Sequence, residues 1–243
     1  MSGTPAISII IATYNTAKDI GGCLDSIAAQ SFNDLEVVIV DGGSTDQTMA
    51  LVKSYAARFP LKWCSEKDNG IYDALNKGVK MASGRWLYFL GADDRVLPGF
   101  SELAGKLEDE HAVYYGITRE YHSDGRAPVG LLTGEFSKYR MAKGAINHQA
   151  ILYPAAVFQH YAYNLRYRVY SDYELNIRVW GDTRFKKLFY PIPVVSYNMT
   201  GFSANNPDTV FLAEKPGIIR ESFGWLVYVR FMLKEWKRRR KQS

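Results

Sequence analysis

Several features that define other protein classes are scarce or absent in this 243-residue sequence. Its two cysteines, Cys23 and Cys64, both lie in apolar stretches, so neither a disulfide framework nor a cysteine-based zinc site can be assembled. No uncharged apolar run approaches the roughly 20 residues of a membrane span. The sequence has no basic region before the apolar residues 6–12, which argues against a secretory signal. We therefore expect one globular domain in the cytoplasm.

Glycine-rich phosphate-binding loops are also missing. Residues 13–17, which follow the first predicted strand, do not form G-x-G-x-x-G, and the sequence contains neither G-x-x-x-x-G-K-[ST] nor G-x-S-x-G. These absences weigh against dinucleotide-dependent dehydrogenases, P-loop enzymes and α/β-hydrolases. If the protein binds phosphates, a metal ion has to supply much of the positive charge.

The net charge of +5 is concentrated at one end of the chain. Residues 234–243 contain six basic residues and one acid, so the remaining chain is electrically balanced. This distribution argues against a nucleic-acid partner, which would require basic residues across the folded body. We expect residues 216–243 to form an amphipathic helix whose basic end contacts an anionic membrane surface. The alternative is a helix packed on the domain with a solvated basic end.

The hydrophobic pattern indicates an α/β fold. Short β-branched runs alternate with helical patterns in the first hundred residues, which predicts a doubly wound parallel sheet. The predicted strands cover residues 6–12, 35–40, 61–64 and 86–90, and the third helix covers 71–82. After Pro98 the pattern becomes mixed, with helices at 100–109 and 172–180, strands at 113–121, 150–153 and 192–197, and a turn at 122–126. We therefore expect one domain over residues 1–215, with halves of about 1–97 and 98–215, followed by the helical tail.

Polar and acidic residues follow each of the four predicted parallel strands. In open parallel sheets, ligands bind beyond the carboxyl ends of the strands. Carboxylates there can accept hydrogen bonds from a base or a ribose, and a pair such as Asp93 and Asp94 can hold a hard divalent ion. The sequence thus predicts a nucleotide and metal site at this edge.

Six ordered motifs make the resemblance specific. SIIIATYN, VVIVDGGSTDQT, SEKDNGIYDALNKG, GRWLYFLGADD, NHQAILYP and YSDYELNIR together resemble a family 2 glycosyltransferase with the GT-A fold. The similarity is greatest to bacterial enzymes of exopolysaccharide and O-antigen assembly, of the colanic acid type. It covers roughly residues 6 to 200 and implies a Rossmann-like, mostly parallel sheet with a mixed C-terminal extension.

The resemblance also implies roles for individual residues. The nucleotide-sugar donor would contact Thr13, Tyr14, Asn15, Asp41, Asp68, Asn76, Lys77 and Asp93. Gly91 replaces the first acid of the family's Asp-x-Asp motif, which leaves Asp93, with Asp94 as a possible second ligand, to hold Mg²⁺ or Mn²⁺. Asp172 takes the place of the catalytic base, and His148 lies on the acceptor side. Simpler readings stay open: Asp94 or Asp172 as helix caps, Lys77 as the partner of Asp73, and His148 as a core residue.

The expected activity is inverting transfer of a sugar from a nucleoside-diphosphate sugar, with a UDP-sugar favoured, to an acceptor hydroxyl. The resemblance suggests a lipid-linked saccharide acceptor in bacterial surface polysaccharide synthesis, and an enzyme bound peripherally to the cytoplasmic face of the inner membrane. Two alternatives are a sugar nucleotidyltransferase, which should carry a glycine-rich basic loop after its first strand, and a non-catalytic nucleotide-sugar-binding protein.

Overall fold

Four strands form the parallel part of the central sheet. The computed structural model describes residues 3–122, 130–200 and 207–241, and in it the strands are β1 (Ile7–Thr13), β2 (Leu35–Asp41), β3 (Leu61–Ser65) and β4 (Trp86–Phe89). Their order is β3-β2-β1-β4, and all of these pairs are parallel. β1 and β2 are β-branched and buried on both faces, as expected for strands covered by helices on either side. Their carboxyl ends meet at one edge.

The second half of the chain extends the same sheet. It contributes β5 (Arg95–Val96), β6 (Ala112–Tyr121), β7 (Gly130–Leu132), β8 (Ile151–Pro154) and β9 (Lys186–Asn198). The order continues as β4-β8-β6-β9-β5, with β7 paired to β6. β8 is antiparallel to β4 and β6, whereas β6 and β9 form a long parallel ladder. This is the mixed extension predicted above, although β9 begins six residues earlier than predicted. The predicted turn lies largely in residues 123–129, outside the described residues.

Helices cover both faces of the sheet. On one face lie α1 (Ile20–Ala28), α2 (Thr48–Ser54) and α4 (Gly99–Ala104), and on the other lie α3 (Ile71–Met81), α5 (Lys138–Lys143) and α6 (Ser171–Gly181). Alternate residues of the strands feed two separate cores: Ile9 packs with the first group of helices and Ile10 with the second. The doubly wound arrangement is thus confirmed. The prediction for α4 was wrong in length, because the helix ends at Ala104 rather than at residue 109.

The C-terminal helix α7 (Thr209–Arg239) begins seven residues before the predicted start of the tail. Asp208 caps it, since its side chain accepts a hydrogen bond from the backbone N–H of Phe211 at 3.0 Å. The part before Gly224 packs against α6 through Phe211, Ile218 and Ile219. Gly224 has a φ of 81°, outside the helical region, and changes the direction of the helix axis. No helix in the described ranges is both long and apolar enough to cross a membrane.

Candidate active site

Asp41 lies at the centre of a hydrogen-bond network at the end of β2. Its carboxylate accepts hydrogen bonds from the side chains of Thr13 at 3.1 Å and Ser65 at 2.6 Å, which end the neighbouring strands. It also accepts from Ser44, through both the backbone N–H at 2.9 Å and the hydroxyl. Burial by itself would raise the pKa of Asp41, but these donors outweigh it and hold the pKa below its ordinary value. Asp41 is therefore a fixed negative charge beneath the strand ends.

Tyr14 and Asp68 both approach Gly42, beside this charge. Tyr14 is 63% exposed. A Cβ atom added to Gly42 would lie 2.7 Å from Asp68 Oδ2 and 3.4 Å from Tyr14 Cδ2. Glycine therefore allows both side chains to lie close to the backbone at this position. An exposed aromatic ring beside a carboxylate can stack on a planar base and accept hydrogen bonds from its N–H groups.

Asn15 fixes the shape of the loop beside Tyr14 and Gly42. It is the one non-glycine residue with positive φ in the described chain, at 51°, a conformation that asparagine tolerates better than most residues. Its side-chain oxygen accepts from the backbone N–H of Thr45 at 2.9 Å, and its own N–H donates to the Ser44 hydroxyl at 2.8 Å. Asn15 therefore joins the loop after β1 to the loop after β2.

Asn76 and Lys77 on α3 use their side chains within the protein. The amide of Asn76 donates to the carbonyl of Tyr163 at 2.9 Å and accepts from its N–H at 3.0 Å. Lys77 lies 2.8 Å from Glu66 and 3.8 Å from Asp73, so the ion-pair reading of Lys77 stands. Both amide groups of Asn76 thus bond the segment that precedes α6, and the donor role expected for this residue stays a prediction.

Asp93 and Asp94 follow β4 but occupy different environments. Asp93 is half-buried, and its carboxylate accepts from the side-chain amide of Asn198 at 3.0 Å. Asp94 is 1% exposed and accepts from the backbone N–H of Asn198 at 2.8 Å and from Gln149 at 3.1 Å. Burial, and next the charge on Asp93, raise the pKa of Asp94 to about 7. Pro98 rather than Asp94 precedes α4, so Asp94 is not a helix cap.

The acids near Asp93 form only part of a metal site. Within residues 3–122, 130–200 and 207–241, no group of three His, Cys, Asp or Glu side chains converges to hold a cation. Both oxygens of Asp94 accept hydrogen bonds within the protein, and its expected role as a second ligand stays a prediction. A Cβ atom at Gly91 would lie 2.5 Å from Asp94 Oδ2, so an acid could not replace this glycine without a shift of Asp94. These residues fit a cation that Asp93 shares with the phosphates of a bound donor.

Asp172 and His148 lie close to each other at the start of α6. Asp172 lies in the first turn of α6, and His148 in a short 3₁₀ helix before β8. The Nδ1 atom of His148 is 3.4 Å from Oδ2 of Asp172, and the Tyr72 hydroxyl is 2.9 Å from its Oδ1. Tyr170 is the N-cap of α6, so Asp172 does not cap this helix. A carboxylate in the first turn is nevertheless stabilised by the helix dipole.

A short series of contacts connects Asp172 to Asp93. His148 is adjacent in sequence to Gln149, which donates to Asp94, and the charge of His148 acts to lower the pKa of Asp94. Asn198, at the end of β9, then joins Asp94 to Asp93. The structure thus gathers Thr13, Tyr14, Asp41, Asp68, Asp93, His148 and Asp172 along the carboxyl edge of the sheet.

Three residues of this edge were not identified from the sequence: Tyr72, Gln149 and Asn198. Tyr72 lies between Asp68 and Asn76 in the motif SEKDNGIYDALNKG, and Gln149 follows His148 in NHQAILYP, so these motifs contained the signal. Asn198 gave none, because only the pairing of β9 beside β6 and β5 brings it to Asp93.

Comparison with known proteins identifies the family. The model of the family described as "Glycosyl transferase family 2" matches residues 8–205. A PGL/p-HBAD biosynthesis glycosyltransferase of Mycobacterium tuberculosis is 37% identical over 222 residues, which cover 87% of this chain and 84% of the relative. A second M. tuberculosis protein, described as an uncharacterized glycosyltransferase, is 28% identical over 187 residues, or 73% of this chain and 70% of its own.

Solved structures share the fold. Residues 1–349 of S. aureus TarS, in complex with UDP-GlcNAc, align with a TM-score of 0.67 and 21% identity over 89% of this chain and 71% of that one. The chain spans 42% of the longer TarS structure. A mannosyltransferase from Pyrobaculum calidifontis, in complex with GDP-Man and Mn²⁺, gives a TM-score of 0.59 and 19% identity over 78% of this chain and 55% of that one. The fold is thus the expected GT-A type, and the chain belongs to the glycosyl transferase family 2 and is a glycosyltransferase.

Proposed function

We propose that the protein transfers a sugar, with inversion of configuration, from a nucleoside-diphosphate sugar to an acceptor hydroxyl. The observation that carries this proposal is the arrangement of acids along one edge of the sheet. Asp41, Asp68 and the exposed Tyr14 lie around Gly42 at the ends of β1 and β2, and the carboxylate of Asp172 lies beside His148 at the start of α6. One carboxylate facing the acceptor is what a single displacement requires, because a retaining double displacement needs an additional nucleophile.

The donor pocket is assigned to the surface around Gly42. We propose that Tyr14 stacks on the base, that Asp68 accepts from its N–H groups, and that Asp41 and Thr13 bind toward the ribose. A carboxylate acceptor suits the N–H of uracil, so we favour a UDP-sugar. UDP-GlcNAc and GDP-Man in the two solved neighbours support a nucleotide-sugar donor as a class.

Asp93 is proposed to hold Mg²⁺ or Mn²⁺ together with the diphosphate. When bound, the cation would supply positive charge against the negative charge that develops on the leaving diphosphate. Asn198 donates to Asp93 and so fixes the carboxylate, whereas Asp94 packs underneath it. Metal affinity should therefore depend on bound nucleotide, because Asp93 alone supplies too few ligands.

Asp172 is proposed as the general base. It accepts the proton of the acceptor hydroxyl while the acceptor oxygen bonds to the anomeric carbon and the bond from that carbon to the diphosphate breaks. His148, 3.4 Å from Asp172, is assigned to the acceptor side, where it can orient the carboxylate or the incoming hydroxyl. The protein otherwise aligns the two substrates and excludes water.

We further propose a lipid-linked saccharide acceptor, a role in bacterial surface polysaccharide synthesis, and peripheral association with the cytoplasmic face of the inner membrane. The surface of α7 after Gly224 supports the membrane contact. Its exposed apolar side chains recur at helical spacing, and Leu226 is 86% exposed. They are Trp225, Leu226, Val229, Met232, Leu233 and Trp236.

Charge complementarity favours an anionic lipid surface over a second copy of this chain. Residues 225–241 carry seven basic residues and one acid, so two copies of this face would repel each other. Each basic residue near an anionic membrane contributes about 1 kcal/mol. The apolar stripe would enter the boundary between headgroups and acyl chains.

A donor panel combined with one variant tests the enzymatic proposal. Thermal shifts with UDP, GDP and dTDP, each with and without Mn²⁺, should identify one base that raises the melting temperature. Turnover of the matching nucleotide sugar should release a nucleoside diphosphate, whereas a nucleotidyltransferase would release pyrophosphate. Asp172→Asn should lower turnover by about 100-fold or more and leave nucleotide affinity unchanged.

The matched control is Glu174→Gln, two residues further along α6. Glu174 is buried and paired with Arg178, away from the Tyr72 hydroxyl and His148. This variant should keep most of the turnover after correction for any loss of folded protein. Near-parent turnover in Asp172→Asn would contradict the assignment of the base. Sugar transfer that needs no nucleoside-diphosphate sugar would contradict the proposed reaction.

A further inference from the structure

The hydroxyl of Tyr72 lies between two acceptors. It is 2.9 Å from Oδ1 of Asp172 and 2.5 Å from the backbone carbonyl oxygen of Val169. A phenol has one hydrogen, so it can donate fully to only one of these oxygens at a time. Burial, and next the charge of Asp172, raise the pKa of Tyr72 well above its ordinary value. The hydroxyl therefore keeps its proton and remains a donor at neutral pH.

The other groups that face Asp172 do not duplicate this contact. His148 approaches the second carboxylate oxygen, Oδ2. Tyr153 is close enough for the charge of Asp172 to raise its pKa, but its hydroxyl donates to Asn176 at 2.6 Å. Tyr163 is also buried near Asp172, yet its hydroxyl has no hydrogen-bond partner among the described residues. Of these three tyrosines, Tyr72 is the one within hydrogen-bond distance of Asp172.

The position of Tyr72 is set by the helix on which it lies. Its ring stacks on Tyr163, with centroids 5.3 Å apart and an angle of 26° between the planes. Asn76, one turn further along α3, holds the backbone of Tyr163 through both of its amide groups. The segment that leads into α6 is therefore fixed to α3 at Tyr163 and again at Val169. These contacts engage both amide groups of Asn76.

We propose that Tyr72 is a positioning residue that serves Asp172 in both of its protonation states, an inference that rests on Asp172 acting as the base. While Asp172 is ionised, the Tyr72 hydroxyl donates to Oδ1 and fixes the carboxylate toward the acceptor. During transfer the proton of the acceptor hydroxyl moves to Asp172, as the acceptor oxygen bonds to the anomeric carbon and the diphosphate leaves. The carboxyl group is then neutral, and the Tyr72 hydroxyl rotates to donate to the Val169 carbonyl. The Tyr72 hydroxyl therefore has an acceptor for its hydrogen in both states.

The test is the pH dependence of turnover in Tyr72→Phe. The probe is UDP-glucose, or the donor that the nucleotide panel selects, with water as acceptor and release of the nucleoside diphosphate as the readout. A hydrogen bond to a charged group is stronger than one to a neutral group, so its loss disfavours the ionised carboxylate. We expect the acidic limb of the kcat profile to move to higher pH by about one unit. The donor KM should stay unchanged.

Tyr163→Phe is the matched control. It removes a hydroxyl from an equally buried, neighbouring ring, but that hydroxyl has no hydrogen-bond partner within the described chain. Its acidic limb should coincide with that of the parent. If Tyr72→Phe does not fold, replacing Tyr72 with 3-fluorotyrosine keeps the shape and makes the hydroxyl a stronger donor, and the limb should then move to lower pH.

The outcomes separate this inference from the proposed function. If Asp172→Asn retains turnover, the base has been assigned wrongly, and the proposed function fails first. If Asp172→Asn is inactive but the acidic limb of Tyr72→Phe coincides with that of the parent, the base stands and the role of Tyr72 is refuted. An equal shift in Tyr163→Phe would refute it as well, because packing alone would then explain the effect.

Discussion

Asp94 should make the stability of the fold decrease as pH rises from about 4 to about 7. Burial and the charge on Asp93 raise its pKa from the ordinary 3.8 to about 7, so the folded protein holds a proton here that the unfolded chain has already released. Unfolding in this window therefore releases a proton, and the free energy of unfolding falls with rising pH. At about 1.4 kcal/mol for each pH unit, this carboxyl removes about 4 kcal/mol over the window.

The perturbation that isolates this group is Asp94→Asn. An amide carries no charge at any pH, and the Gln149 side chain can rotate so that its oxygen accepts from the new amide group. Urea unfolding at pH 5, 6, 7 and 8, without metal or nucleotide, measures the free energy at each pH. Between pH 5 and 8 the parent should lose about 3 kcal/mol more than the variant.

Asp93→Asn provides the companion measurement. Removing the neighbouring charge should lower the pKa of Asp94, so the pH window narrows and this variant should lose less stability in total than the parent does. Parallel pH profiles for the parent and Asp94→Asn would refute the reasoning, because they would show that Asp94 titrates in the folded protein as it does in the unfolded chain.

Three further predictions concern ligands. Asp93→Asn should abolish the part of nucleotide affinity that depends on Mn²⁺, and titration calorimetry that gives the parent value would contradict this. Gly42→Ala should weaken nucleotide binding about tenfold with little change in melting temperature, because a Cβ there lies 2.7 Å from the Asp68 carboxylate. An unchanged Kd would show that Gly42 lies outside the donor site. Deleting residues 237–243 removes five basic residues and should weaken binding to anionic vesicles most at low salt; equal binding across a salt series would contradict the membrane proposal.

The parallel half of the sheet was predictable because its strands are short, β-branched and buried on both faces. β1 and β2 were predicted to within one residue at each end, since nothing competes with their strand preference. β5 and β7 were missed because strands of two and three residues have no periodicity to detect. The early start of α7 was also missed, because the helix is stabilised by packing of Phe211 and Ile218 on α6 rather than by its own sequence pattern.

The candidate site could be predicted in its residues but not in its contacts. Asp41, Asp93 and Asp172 follow from motifs at the ends of strands or the start of a helix. That Asp94 is buried and fully engaged, whereas Asp93 stays partly open, depends on Asn198 and Gln149, which are distant in sequence. Asn76 illustrates the same limit: its motif suggests a ligand contact, but the tertiary structure directs its amide to Tyr163.

The anomeric configuration of the sugar released from the donor tests the central claim most directly. With water as acceptor and an α-linked nucleotide sugar, proton NMR in the first minutes distinguishes the newly formed anomer before mutarotation mixes the two forms. A single displacement in which Asp172 deprotonates the attacking hydroxyl predicts the β-anomer as the first product, and about 100-fold less product from Asp172→Asn. The α-anomer as the first product would contradict the account.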